Sequence, residues 1–173
     1  MLPSLTFVLG GAASGKSRIA ENILVNSGLN PVYLATAQIW DDEIQDKVDL
    51  HRARRGPEWT TINAPVDLAT PLDQATADQA ILLDCATMWL TNIMLDEHDL
   101  DAEQTTLRAA LTRCRAPVVI VSNEVGQGIV PENALARRFR EAQGRLNIAL
   151  AEQADHVLHV VAGLPRSLKD TRT

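Results

Sequence analysis

Short apolar runs and amphipathic stretches alternate along this chain. "LTFVL" (5–9), "PVYLAT" (31–36), "AILLD" (80–84), "PVVIVS" (117–122) and "HVLHVVA" (156–162) are aliphatic runs bounded by polar or turn residues, and they predict buried strands. "WTTIN" (59–63) predicts one more. Helical spacing covers 16–27, where Ile19, Ile23 and Leu24 share one side, and then 86–95, 102–115 and 132–153. An acid-capped helix is expected over 41–55, stopped by Gly56-Pro57. Pro65 and Pro71 break the stretch after 63 into a short helix and loop, and the polar tail from about 165 to 173 is expected to fray.

No repeat or linker interrupts this order, so residues 1–173 read as one α/β domain with a mainly parallel sheet. Ligands in such sheets sit beyond the C-terminal strand ends. The loops after Leu9, Asp84 and Ser122 are therefore expected along one edge.

Composition narrows the class. A chain of 173 residues that is 46% hydrophobic can bury one real core, and with only 3% aromatics that core is aliphatic. A net charge of −6 argues against a nucleic-acid binder, which normally carries a basic face. Cys85 and Cys114 form no CxxC pair, so zinc and disulfide frameworks have no support. The apolar run near the N-terminus is too short for a signal peptide or membrane span, and the chain reads as cytoplasmic.

The chemistry begins at "GGAASGKS" (10–17), which fits G-x-x-x-x-G-K-[ST] at Gly10, Gly15, Lys16 and Ser17. Gly11, Ala12, Ala13 and Ser14 are small enough for backbone N–H groups to turn inward on phosphate oxygens at a helix N-terminus. Lys16 can reach the β and γ phosphates, and the Ser17 hydroxyl can ligate Mg²⁺. Asp84, at the end of an apolar strand, is the natural second Mg²⁺ partner. These residues indicate a nucleoside triphosphate without saying what it is used for.

The second feature is "HRARRGPEW" (51–59), a basic knot on an acidic chain. Ile44, Val48, His51 and Arg55 fall on one helical stripe, which puts His51 on the inward face. Compensating a helix C-terminus needs only one cation, whereas Arg52, Arg54 and Arg55 together form an anion-binding surface. A neutral histidine there can attack phosphorus. The arginines lower its pKa and the helix end raises it, so its charge state stays open. Glu124, after "PVVIVS", either positions a substrate hydroxyl or metal-bound water, or orders its loop. His98, His156 and His159 read as structural, and Arg137, Arg138 and Arg140 as solvated or intersubunit.

Taken together, these motifs resemble the bifunctional adenosylcobinamide kinase/adenosylcobinamide-phosphate guanylyltransferase family. The resemblance runs from "FVLGGAASGKSRIAE" to "VVAGLP" and is carried by "YLATAQIWDDE", "HRARRGPEW", "ILLDCATMWLTN" and "SNEVGQGIVPENALARRFREAQGRLNIALA". It implies a P-loop NTPase fold (RecA-like), a three-layer sandwich with a mainly parallel central sheet, assembled as a homotrimer. It also implies two reactions. A nucleoside triphosphate, ATP or GTP, phosphorylates adenosylcobinamide. GMP then passes from GTP to adenosylcobinamide-phosphate through a guanylylated histidine, giving adenosylcobinamide-GDP and pyrophosphate.

By motif position that histidine is His51, with Arg52, Ala53, Arg54 and Arg55 in the GTP site. Further nucleotide contacts fall on the P-loop, on Ala35, Thr36 and Ala37, and at Asn63 and Asp84. Asn63 is a departure, because the family commonly carries glutamate there (W-x-T-x-E). An amide in its place still hydrogen-bonds, with changed donor–acceptor matching.

Overall fold

A computed structural model describes residues 2–38 and 55–171. Seven strands form one sheet: β1 (Leu5–Gly10), β2 (Asn30–Ala35), β3 (Thr60–Asn63), β4 (Gln79–Asp84), β5 (Val118–Asn123), β6 (His156–Val161) and β7 (Leu164–Asp170). The helices are α1 (Lys16–Val25), α2 (Ala69–Gln74), α3 (Ala86–Leu95), α4 (Leu100–Arg113) and α5 (Ala134–Gln153). The helix expected over 41–55 falls outside the described residues except for Arg55.

The strand order is β3-β2-β4-β5-β1-β6-β7, parallel throughout except for the antiparallel β6–β7 pair. Parallel strands bury both faces, which explains why their sequences are continuously apolar rather than alternating. Phe7, Leu34, Ile81, Leu83 and Ile120 project to one side and pack with Trp89, Leu90, Ile93, Leu107, Leu146 and Leu150. Val8, Tyr33, Leu82, Val119 and Val121 project to the other and pack with Ala20 and Leu24 of α1. Burying each large aliphatic side chain contributes about 1.5–3 kcal/mol. Trp89 is 1% exposed, and its indole N–H reaches the carbonyl of Val66 at 2.8 Å, so no polar group is stranded.

The expected helix and strand boundaries agree with these elements to within a few residues. Capping sets two of the helix starts. The Asp99 carboxylate accepts from the amides of Asp101 and Ala102 ahead of α4, and the Asn133 side chain accepts from Ala136 ahead of α5. Residues 165–170 are not a frayed tail. Ala162 (φ 50°) and Gly163 (φ 78°) make a tight turn, and β7 pairs along β6 as the exposed edge strand. A primed hairpin turn matches strand twist, which is why a polar segment can be held as a strand.

Parallel register brings the functional ends together. Gly10 is level with Asn123, and Asp84 is level with Val121 and Ala35. The P-loop, the Asp84–Cys85 corner and the loop after Ser122 therefore share one edge, as the strand order requires.

Candidate active site

The loop between β1 and α1 is shaped by close backbone approach. A Cβ on Gly10 would lie 2.5 Å from Ser14 Oγ and 2.6 Å from the Val160 carbonyl oxygen. Gly15 sits at φ 90°, and a Cβ there would meet Gly163 Cα at 3.2 Å. Ala13 also has positive φ, at 55°, a conformation that costs a non-glycine residue about 1–2 kcal/mol. The Ser14 amide donates to the Gly11 carbonyl at 3.3 Å, and the Gly163 amide donates to the Ser14 carbonyl at 2.8 Å. Ala12 and Ala13 are exposed, while Gly11 and Ser17 are half-buried. The Ser14 hydroxyl is buried with no hydrogen-bond partner among the described residues, and no side chain caps α1. The result is a tight glycine-shaped loop at the positive end of a helix.

Lys16 is only 8% exposed and donates from Nζ to the Gly11 carbonyl at 3.0 Å. Burial lowers its pKa below the ordinary lysine value, and the nearby Cys85 and Asp84 partly offset this. The parallel register puts the end of β4 on the same sheet edge as the P-loop. Cys85 is buried, and its thiol is pushed up to about 12 by burial first and by the Asp84 carboxylate second. Ser17 and Asp84 offer one hydroxyl and one carboxylate, oxygen donors that suit a hard divalent cation completed by phosphate and water.

The loop after β2 is tied down from two sides. The Thr36 hydroxyl donates to the Cys85 carbonyl and accepts from the Cys85 amide, both at 2.8 Å. Asn92 of α3 donates to the carbonyls of Thr36 and Pro65, again at 2.8 Å each. Thr36 is thus wholly buried, with half-buried Ala35 and Ala37 on either side of it. Asn63 is exposed at the end of edge strand β3, level with Ala35. It lines a cavity of about 460 Å³ with Pro65, Asp67, Thr70 and Gln74.

Glu124 lies beside the P-loop, its amide donating to the Gly10 carbonyl at 3.0 Å. Its carboxylate accepts from the Gly126 amide at 2.6 Å, and Arg140 donates to the Gly126 carbonyl. Of the two roles open to Glu124, loop ordering is the one its contacts display. Arg140 is a loop brace rather than a solvated cation. Arg137 turns back to donate to the carbonyls of Pro131 and Glu132.

Arg55 is half-buried, with its guanidinium carbon 3.4 Å from the centroid of the Tyr33 ring. His51, Arg52, Ala53 and Arg54 lie outside the described residues. Two of the other histidines have structural partners. His98 pairs with Glu103 at 2.8 Å, and His156 faces Asp170 across the β6–β7 pair at 4.0 Å.

A buried polar network beneath this edge was not expected from the sequence. The Ser122 hydroxyl donates to Asn147 Oδ1 at 2.7 Å, and the Gln143 amide nitrogen donates to both Ser122 Oγ and Asn147 Oδ1. The Asn123 amide donates to Thr87 Oγ1 at 2.8 Å. The available signal was Gln143 and Asn147 at i, i+4 on the face that also holds Leu146 and Leu150. A second missed feature is the 162–163 turn behind the P-loop, hinted at only by the glycine in "VVAGLP".

Comparison with known proteins follows the same lines. A family model described as cobinamide kinase / cobinamide phosphate guanyltransferase matches residues 6–168. The chain is 44% identical over 165 residues to the bifunctional adenosylcobalamin biosynthesis protein CobP of Pseudomonas aeruginosa, covering 94% of this chain and 95% of that protein. It is 41% identical over 181 residues to the bifunctional adenosylcobalamin biosynthesis protein CobU of Salmonella typhimurium, covering 95% and 99%. The crystal structure of the RadB recombinase matches with a TM-score of 0.55 at 18% identity, over 91% of this chain and 74% of that one. This last likeness shows the P-loop NTPase fold.

Proposed function

Since the chain belongs to the cobinamide kinase/cobinamide phosphate guanyltransferase family, we propose that it performs both of that family's reactions on adenosylcobinamide in cobalamin biosynthesis. In the first, the aminopropanol hydroxyl of adenosylcobinamide attacks the γ-phosphorus of ATP or GTP, and the bond to the nucleoside diphosphate breaks. In the second, a neutral ring nitrogen of His51 attacks the α-phosphorus of GTP, forming a P–N bond and releasing pyrophosphate. A phosphate oxygen of adenosylcobinamide-phosphate then attacks that phosphorus and frees the histidine, giving adenosylcobinamide-GDP.

The observation that carries this reading is the buried Lys16 on a glycine-shaped loop that shares one sheet edge with Asp84. The amides of residues 11–17 and the Ser14 hydroxyl bind phosphate oxygens, and Lys16 neutralises charge on the β and γ groups. Ser17 and Asp84 would hold Mg²⁺, which when bound screens charge on phosphate oxygens. Ala35, Ala37 and Asn63 line the approach for the nucleoside, with the buried Thr36 fixing the loop between the two alanines. Arg52, Arg54 and Arg55 stabilise charge on the α-phosphate and departing pyrophosphate, with Ala53 leaving room between them. Splitting the transfer through a histidine replaces one difficult displacement by two easier ones. The working assembly is proposed to be a homotrimer.

The test uses GTP labelled at the α-phosphate. The wild-type chain takes up an acid-labile label, and His51→Asn abolishes labelling and GMP transfer while phosphorylation of adenosylcobinamide continues. Labelling that survives the substitution removes His51 from the mechanism.

A further inference from the structure

We propose that Asn123 is a catalytic residue of the phosphoryl-transfer step, its side-chain amide nitrogen donating to an oxygen of the terminal phosphate of the bound nucleoside triphosphate. The proposal rests on the reading above that the P-loop holds that triphosphate for the kinase reaction. It starts from strand order. β5 lies between β4 and β1, and Asn123 ends it level with Gly10. The residue therefore stands between the end of the Asp84 strand and the P-loop.

Alternation along the strands sets the face to which it turns. In β5, Ile120 packs on the side of α3 and α5, while Val119 and Val121 pack on the side of α1. Ser122 joins the first side by bonding to Gln143 and Asn147 of α5, which leaves Asn123 on the second. The same count puts Asp84, two residues after Leu82, and Gly10, two after Val8, on the α1 side. Gly10, Asn123 and Asp84 thus form a row on the face covered by the helix that Lys16 begins.

The backbone of Asn123 is held with unusual care. β4 ends with Asp84 level with Val121, two residues short of Asn123. Side chains take the place of the missing strand: the Asn123 amide donates to Thr87 Oγ1 at 2.8 Å, and its carbonyl accepts from Asn147 Nδ2 at 3.2 Å. On the other side the Glu124 amide donates to the Gly10 carbonyl at 3.0 Å. The buried Ser122–Gln143–Asn147 network therefore fixes the residue beside the P-loop. Its own side chain is half-buried and has no hydrogen-bond partner among the described residues.

A triphosphate gripped by Lys16 at its β and γ groups, with metal on Ser17 and Asp84, has its outer phosphate between the loop and the carboxylate. The row places the Asn123 amide there. Glu124, the next residue, is a poor alternative, because it is anionic and already accepts from the Gly126 amide. A neutral donor whose position is set before the nucleotide arrives stabilises developing phosphoryl charge without reorganising.

The experiment uses the full chain carrying His51→Asn, so that no guanylylation competes, and adds Asn123→Ala or Asn123→Asp to it. Calorimetric titration with Mg²⁺ present measures affinity for the β,γ-imido analogues of ATP and GTP and for ADP and GDP. Asn123→Ala is expected to weaken the triphosphate analogue about tenfold to hundredfold, as for loss of one hydrogen bond to a charged group, and to leave diphosphate affinity unchanged. Asn123→Asp is weaker still, because a carboxylate of the same shape repels the phosphate. The kcat for phosphorylation of adenosylcobinamide falls by at least the same factor in Asn123→Ala. Its melting temperature without nucleotide stays at the parent value, since the clamps act on the backbone.

Equal losses of triphosphate and diphosphate affinity would mark a structural role and overturn the proposal. Unchanged triphosphate affinity in Asn123→Asp would overturn it as well. A His51→Asn parent that binds neither analogue, or that does not phosphorylate adenosylcobinamide, refutes the underlying reading and the proposal with it.

Discussion

The amide of Gly163 donates to the carbonyl of Ser14 at 2.8 Å, so the turn between the last two strands buttresses the P-loop from behind. The loop is thus held by backbone on both sides, by the Val160 carbonyl against Gly10 and by Gly163 against Gly15. Side chains can move aside for a new methyl group, but backbone in the middle of a sheet gives much less.

Gly10→Ala is accordingly expected to lower stability by about 1–3 kcal/mol, the usual cost of overpacking, and to abolish nucleotide binding. Adding Ser14→Ala removes the 2.5 Å clash with Oγ and leaves the 2.6 Å clash with the Val160 carbonyl, so the double variant recovers only part of the loss. Urea denaturation and titration with a fluorescent nucleotide read the two effects. Full recovery would show that the sheet backbone does not set the shape of the loop.

Lys16 has its pKa lowered chiefly by burial, so the folded chain without nucleotide is penalised for carrying its charge. The sign follows from linkage: the penalty is complete at neutral pH and is relieved as pH rises toward the ordinary lysine value of 10.5. Lys16→Met is therefore expected to raise the melting temperature of the nucleotide-free protein at pH 7, with a smaller gain at pH 10. The same change should cut phosphoryl transfer by about 100- to 1,000-fold, as for loss of one preorganised charge-stabilising group. Thermal melts at the two pH values and initial rates check both halves.

Cys85 and Cys114 should be distinguishable by alkylation. Burial raises both thiols, Cys85 up to about 12, while Cys114 is only half-buried. At pH 8 the native protein is expected to be modified slowly at Cys114, and at Cys85 only after unfolding. The raised Cys85 value also means that stability declines as pH rises from 9.0 toward about 12, because the unfolded chain ionises first. Peptide mapping after iodoacetamide treatment decides the first point. Prompt native labelling of Cys85 would contradict the closed corner at the end of β4.

Asn92 joins the loop after β2 to the loop after β3 by donating to Thr36 and Pro65. Asn92→Leu leaves both carbonyls without this donor and should cost about 2–4 kcal/mol in urea unfolding. A weaker affinity for nucleotide is expected with it, since Thr36 lies between Ala35 and Ala37. Loss of stability with unchanged nucleotide affinity would separate the staple from the site.

Most of the architecture was legible in the chain because a parallel sheet buried on both faces demands continuous aliphatic runs, and 5–9, 80–84 and 117–122 supply them. The P-loop was legible for a related reason: its glycines and small residues are imposed by local backbone geometry, which needs no distant partner. The last strand was not. Polar residues 164–170 carry no apolar period, and their strand depends on a turn and on pairing with β6, both of which are tertiary facts. The Ser122–Gln143–Asn147 network was equally hidden, since buried polar groups reveal themselves only when their partners are seen across the sheet.

The basic knot at 51–55 marks the division most sharply. From the sequence alone came an expected place on an inward helical stripe, an excess of cation on an acidic chain and a likeness to a guanylyltransferase motif. Only the tertiary structure decided what holds Arg55, because Tyr33 is 22 residues away along the chain. Their contact spans two elements, with Tyr33 in β2 and Arg55 ahead of β3, the strand paired beside it. Local pattern determines which groups a chain carries and which way a strand or helix turns them. Which groups meet is set by strand order, and that is chosen by the burial of the whole sheet rather than by any one segment.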